Sequence, residues 1–103
     1  MTKAEIRTLL VGVDPDIRHY FTTEKTKDYT YWEETQQLPT LSDDRHDEAW
    51  RFYVHRFTRN EFDDVARRLM AALDADDRIT VNYAVDYERE YGWIHHIYTC
   101  EGY

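Results

Sequence analysis

The stretch from Ile79 to Cys100 constrains the fold more than any other part of this chain. Ile79, Val81, Tyr83, Val85 and Tyr87 alternate with more polar neighbours, which is the two-residue period of a strand whose successive side chains point to opposite faces. Trp93 to Cys100 supply a second strand. Between them Glu88 to Gly92 form a charged reversal, and Gly92 can take the positive φ that such a turn needs. The chain therefore ends in a hairpin.

The preceding segments add strands and two helices. Ile6, Leu9, Leu10 and Val13 recur at i, i+3, i+4 and i+7, which predicts an amphipathic helix over Thr2 to Val13. Thr2 and Glu5 have the spacing of a capping box at its start, and Gly12 with Asp14-Pro15 ends it. The alternation of Ile17, His19 and Phe21 suggests a first strand, and Tyr29 to Glu34 has the aromatic and β-branched content of a second. Thr35 to Asp47, with Pro39 and three aspartates, reads as an acidic loop of about a dozen residues, near the upper end for a compact domain. Ala49 to Phe57 reads as a third strand with Trp50, Phe52 and Val54 facing a core and Arg51, Tyr53 and His55 facing away. Thr58 and Glu61 repeat the capping-box spacing, with Phe57 and Phe62 placed as a hydrophobic staple, so a second helix is expected over Arg59 to Leu73. Trp50, Phe52, Val54, Val65, Leu69 and Val81 form the expected core.

The order is then helix, strand, strand, long loop, strand, helix, strand, strand. It predicts an α+β domain over residues 1–103, with a mixed or antiparallel sheet of about five strands and both helices on one face. The length of 103 residues suits one domain and leaves no room for a second core. Hydrophobic residues make up 42 % of the chain, which places it outside the disordered class although 33 % of it is charged. Nine tyrosines and three tryptophans suit both strands and partly buried interfaces.

Charge and chemistry narrow the function. A net charge of −8 argues against a surface that grips phosphates, and points to a protein partner or to DNA that must slide past. The single cysteine, Cys100, excludes an intrachain disulfide and fits a reducing compartment. The opening residues carry no long apolar run, so neither a signal peptide nor a membrane span is expected. His95 and His96 are neighbours in a strand and point to opposite faces, so at most one of them joins a given site. Zinc ligands normally occur as close pairs, which are missing here, and the expected metal and cofactor content is none. Asp86, Glu88 and Glu90 sit in a hairpin turn, where carboxylates stay exposed and lack the burial that acid–base catalysis uses. No nucleophilic triad, glycine-rich phosphate loop or basic aromatic stripe occurs, and the chain reads as a non-enzyme.

The element order resembles that of the tail terminator and tail-completion, or head–tail joining, proteins of long-tailed bacteriophages. The residues that carry the resemblance are the aromatic strand Tyr29 to Glu34, the long acidic loop before an aromatic third strand, and the hairpin Asp86 to Ile97. The resemblance implies a structural protein of a siphovirus-like virion. Its subunits would form a ring, commonly a hexamer, at the head-proximal end of the tail tube, where the ring stops polymerisation and receives the head connector. The implied partners are further copies of the chain, the tail tube protein, the connector, and genomic DNA that passes through the lumen without specific binding. The implied location is the virion, after assembly in the host cytoplasm, with no membrane involved. Asp43, Asp44, Asp47 and Glu48 are the acids expected at the lumen or a neighbouring subunit, and Trp32, Tyr87, Glu88, Glu90 and Trp93 complete the interface or lumen candidates. A small acidic inhibitor that mimics DNA is the alternative reading, opposed by the interleaving of acids with Arg67, Arg68, Arg78 and Arg89.

Overall fold

The C-terminal alternation becomes two strands of ten residues each, β4 (Ile79–Glu88) and β5 (Trp93–Gly102), in unbroken antiparallel register from Ile79↔Gly102 to Glu88↔Trp93. Gly92, at φ 71°, closes their turn by donating its N–H to the Glu88 carbonyl at 2.9 Å. The computed structural model describes residues 1–22, 27–40 and 48–103. Its other elements are α1 (Lys3–Val13), β1 (Arg18–His19), β2 (Tyr29–Leu38), β3 (Ala49–Thr58) and α2 (Asp64–Ala75). The sheet order is β1-β2-β3-β5-β4, with β1 parallel to β2 and every other pair antiparallel. This is the expected α+β domain with a five-stranded mixed sheet.

Sequence spacing accounts for α1. Thr2 accepts from the Glu5 N–H at 3.1 Å and Glu5 accepts from the Thr2 N–H at 2.9 Å, so the capping box is closed from both sides. Ile6 and Leu10 are fully buried on its inner stripe. They join Trp32, Phe52, Val54, Leu69, Leu73, Tyr98 and Cys100 in one core between the helices and the sheet. Of the expected core, Phe52, Val54 and Leu69 are fully buried, while Trp50, Val65 and Val81 pack at its margin.

Three boundaries differ most from the sequence reading. The first strand shrinks to Arg18–His19 because Tyr20 turns into the left-handed region, at φ 76°, and ends the pairing. The second strand runs on to Leu38 through a register shift between Glu34 and Gln36, so the expected loop begins later, and residues 41–47 lie outside the described residues.

The third difference is the start of the second helix. It begins at Asp64 with Asp63 as its cap, not beside Thr58. Thr58 instead accepts from the Asn60 N–H and donates to Asp28, and Asn60 accepts from the Phe62 N–H, which makes two successive side-chain turns before the helix. Phe62 is left 83 % exposed and Phe57 stacks on Tyr29, so there is no staple.

Asp63 accepts from the Ala66 N–H at 2.9 Å and from Arg56 Nε and Nη2 at 2.9 and 3.1 Å, and Arg56 is itself buried. Asp63→Ala should therefore cost more than the ~1 kcal/mol of an ordinary cap. We expect about 3–5 kcal/mol in urea unfolding, because a buried guanidinium loses its two hydrogen bonds to a carboxylate and keeps, among the described residues, only Asp28 as an acidic partner, at 3.6 Å. Phe62→Ser should leave the urea midpoint unchanged, and a large loss there would restore the staple. Leu69→Ala should cost about 2–5 kcal/mol through the cavity it leaves.

Candidate functional site: an open aromatic face and an unsealed edge

Strand alternation divides the sheet into two unlike faces. Even-numbered residues of β3 and β5 turn toward the helices, whereas Arg51, Tyr53, His55 and Phe57 on β3 and Trp93, His95 and Ile97 on β5 turn away. Tyr29, Tyr31 and Glu33 of β2 join this second face. Its rings are stacked along and across strands. Tyr29 lies on Phe57 with centroids 4.6 Å apart, Phe57 on His95 at 4.0 Å, and Tyr31 on His55 at 4.4 Å. Arg59 caps the array, its guanidinium 3.7 Å from the Trp93 ring centroid.

Two polar contacts tie this array together. His55 Nδ1 lies 2.8 Å from His95 Nε2, and His55 Nε2 lies 3.2 Å from Glu33 Oε1. Burial lowers the pKa of both imidazoles. For His95 the nearby His55 and His96 add to that lowering and Asp86 opposes it, leaving the value at about 4. For His55 the Glu33 carboxylate opposes the burial without cancelling it. The pair is therefore neutral near pH 7.

A cleft of about 610 Å³ opens at the end of this face, between Tyr29, Tyr31, Trp93, Tyr91, Glu33 and Glu88. A second groove, of about 590 Å³, runs between α2 and the hairpin, lined by Phe62, Met70, Tyr83 and His96. His96 points to the helix side, as the alternation requires, and accepts or donates at Nδ1 with the Tyr83 hydroxyl at 2.6 Å. Its buried Nε2 makes no hydrogen bond. An unpaired buried nitrogen costs free energy until an acceptor reaches it, so the groove is chemically incomplete.

The edge of the sheet is equally incomplete. All of β4 from Asn82 to Tyr87 is exposed, with Tyr83 at 46 %, Val85 at 38 % and Tyr87 at 63 % of their accessible area. Proteins usually blunt such an edge with lysine, proline or a bulge. From Ile79 to Tyr87 this strand has a single charge, Asp86, no proline and no register shift.

The sequence-derived interface candidates fall in different places. Tyr87 and Glu90 are exposed on the hairpin, and Glu88 is half-buried at the cleft. Trp93 is on the open face but covered by Arg59, and Trp32 is 1 % exposed in the core, so it offers no surface to a neighbour. Glu48 holds its own chain together. Its carbonyl accepts from the Met1 ammonium at 2.6 Å and its carboxylate accepts from the Trp50 indole at 3.0 Å. Asp43, Asp44 and Asp47 lie outside the described residues. Cys100 is buried and its thiol is pushed up to about 12 by that burial, which keeps it protonated and unreactive. No helix of the described residues is long and apolar enough to cross a membrane.

Two features escaped sequence reasoning. The pairing of His55 with His95 joins residues 40 positions apart through the β3–β5 register, which no local pattern encodes. The exposure of β4 from Asn82 to Tyr87 runs against its alternation, which normally means that one side is buried. No known protein-family model matches the chain, and no curated protein matches its sequence at significant similarity.

Depressed histidine pKa values have a definite consequence for stability. An unfolded histidine titrates near ~6.5, and His95 in the folded chain near about 4. Between those values the unfolded chain binds more protons, so the contribution is complete above the unfolded value and is lost as pH falls through this window. The melting temperature should drop from pH 7 to pH 4, and His95→Asn should flatten that dependence. An equally steep profile in the variant would place the titration elsewhere.

Proposed function

We propose that this chain is a ring-forming structural subunit that caps the head-proximal end of a bacteriophage tail tube. The ring ends tube polymerisation and presents the surface to which the head connector attaches. The observation that carries this reading is the unsealed β4 edge, exposed without a break from Asn82 to Tyr87 and carrying one charge over that run. Unpaired backbone groups along such an edge form hydrogen bonds with a further strand, and exposed Tyr83, Val85 and Tyr87 add apolar contact. A contact from this edge to a different surface of the next copy is head-to-tail, and it closes into a ring when the rotation permits.

Charge supports the same reading. A net charge of −8 suits a conduit through which DNA passes without adhering. Asp43, Asp44 and Asp47 are assigned to the lumen or to a neighbouring copy by the resemblance to tail terminators. The acidic groups at the hairpin tip, Glu88 and Glu90, belong to the same assignment.

Deleting the gene from a phage that carries it should leave filled heads beside tails that are unjoined or overlong. Normal joined particles would sink the tail-terminator reading and favour an acidic inhibitor. On the protein itself, Val85→Lys should abolish ring assembly, measured by light scattering with and without purified tail tubes. Circular dichroism should stay unchanged, because residue 85 is exposed. Full assembly by the variant would remove β4 from the seam. Replacing Asp43, Asp44 and Asp47 together with Asn should preserve folding, since the sequence reads this acidic stretch as a solvated loop whose charges contribute little, and should reduce head joining or DNA passage.

A further inference from the structure

On the open face two ring nitrogens converge on one point. His55 on β3 and His95 on β5 sit one register step apart, because Phe57 pairs with His95 and His55 pairs with Ile97. Their Nδ1 and Nε2 atoms are 2.8 Å apart, within hydrogen-bond distance. We propose that this pair is a binding site for a divalent transition-metal ion of the zinc, nickel or copper class, with Glu33 orienting one ligand from behind.

The geometry is close to what such an ion requires. A tetrahedral ion with metal–nitrogen bonds of ~2.0–2.1 Å holds two ligand nitrogens about 3.3 Å apart, so the rings need to part by about half an ångström and turn so that both lone pairs meet one ion. Both rings are already fixed by stacking, His55 on Tyr31 and His95 on Phe57. Glu33 lies 3.2 Å from the outer nitrogen of His55, which is the position from which a carboxylate fixes the tautomer of a metal-bound histidine and raises its basicity. With Glu33 accepting from Nε2–H, the Nδ1 lone pair of His55 already faces His95. His95 then needs only to move its proton from Nε2 to Nδ1, so binding releases no net proton. Asp86, directly across the β4–β5 pairing from His95, adds negative charge beside the site.

Imidazole ligands select this class of ion over magnesium or calcium, which prefer oxygen. Among the described residues no group of three or more histidine, cysteine or carboxylate side chains is arranged around an ion. The site therefore offers two protein nitrogens and leaves the remaining positions to solvent. The site does not depend on the assembly reading above, and it is tested on the isolated chain.

Calorimetry on chelator-washed protein should find one zinc ion per chain at pH 7 and no magnesium binding. His55→Asn and His95→Asn should each weaken zinc binding at least about tenfold, and Glu33→Gln should weaken it by about tenfold through the lost orienting contact. His19→Asn, which alters a histidine paired with Glu34 elsewhere, should leave it unchanged. In the unaltered chain, zinc should shift the ring-nitrogen NMR signals of His55 and His95 ahead of those of His19 and His96. This measurement needs no variant to fold. Absence of zinc binding, wild-type affinity in either histidine variant, or first shifts at another histidine would each overturn the proposal.

Discussion

A buried arginine organises this fold. Arg56 on β3 is 7 % exposed and faces the helices, where it donates twice to Asp63 and once to Thr30. The same Asp63 carboxylate caps α2. Burial alone would raise its pKa, but the Arg56 contacts and the Ala66 N–H hold it below the ordinary carboxylate value. One carboxylate thus fixes the helix start, its seating on the sheet, and the neutralisation of a guanidinium that could not stand there alone. The position of α2 follows from this pair, and so does the length of β4 that the helix leaves uncovered.

The two faces of the sheet are held by different physics. On the helix side, Tyr98 is fully buried and donates its hydroxyl to the Ala66 carbonyl at 2.6 Å, so even the polar end of a core aromatic is satisfied. At the margin of that side, Glu34 accepts from Tyr20 and lies 2.6 Å from His19 and 3.8 Å from Lys3. These contacts, with the Tyr20 N–H bound to the Trp32 carbonyl, hold Tyr20 in its left-handed conformation. On the open side no helix of the described residues packs, and stacked rings replace the core. Stacking permits partial exposure in a way that aliphatic packing does not, because the ring edges remain open to polar partners.

Much of this was legible in the sequence where the deciding interactions are local. The Thr2–Glu5 box, the Ile6–Leu10 stripe, the alternation of β4 and the reversal at Gly92 are each set by residues within a few positions. The start of α2 was not legible, since Thr58-x-x-Glu61 satisfies the same spacing rule as a true cap. The choice of Asp63 was made by Arg56, which reaches it across the sheet–helix boundary. Trp32 shows the same limit. Its strand neighbours on the inner face, Thr30 and Glu34, are polar, so periodicity gives no sign that this side is the buried one. The His55–His95 pair depends on inter-strand register, which a single sequence does not encode.

The unsealed edge and the overall charge oppose one another. Copies carrying a net charge of −8 repel at a distance, and that repulsion is screened over roughly a Debye length of ~10 Å at ordinary ionic strength. A strand edge attracts only on contact, through backbone hydrogen bonds and the apolar surface of Tyr83, Val85 and Tyr87. Free chains therefore resist indiscriminate strand pairing, although nothing in β4 itself blocks it. Association becomes favourable where another template holds copies close together or where salt weakens the repulsion. For the tube cap proposed above, this balance would keep subunits dispersed until they meet the structure on which they assemble.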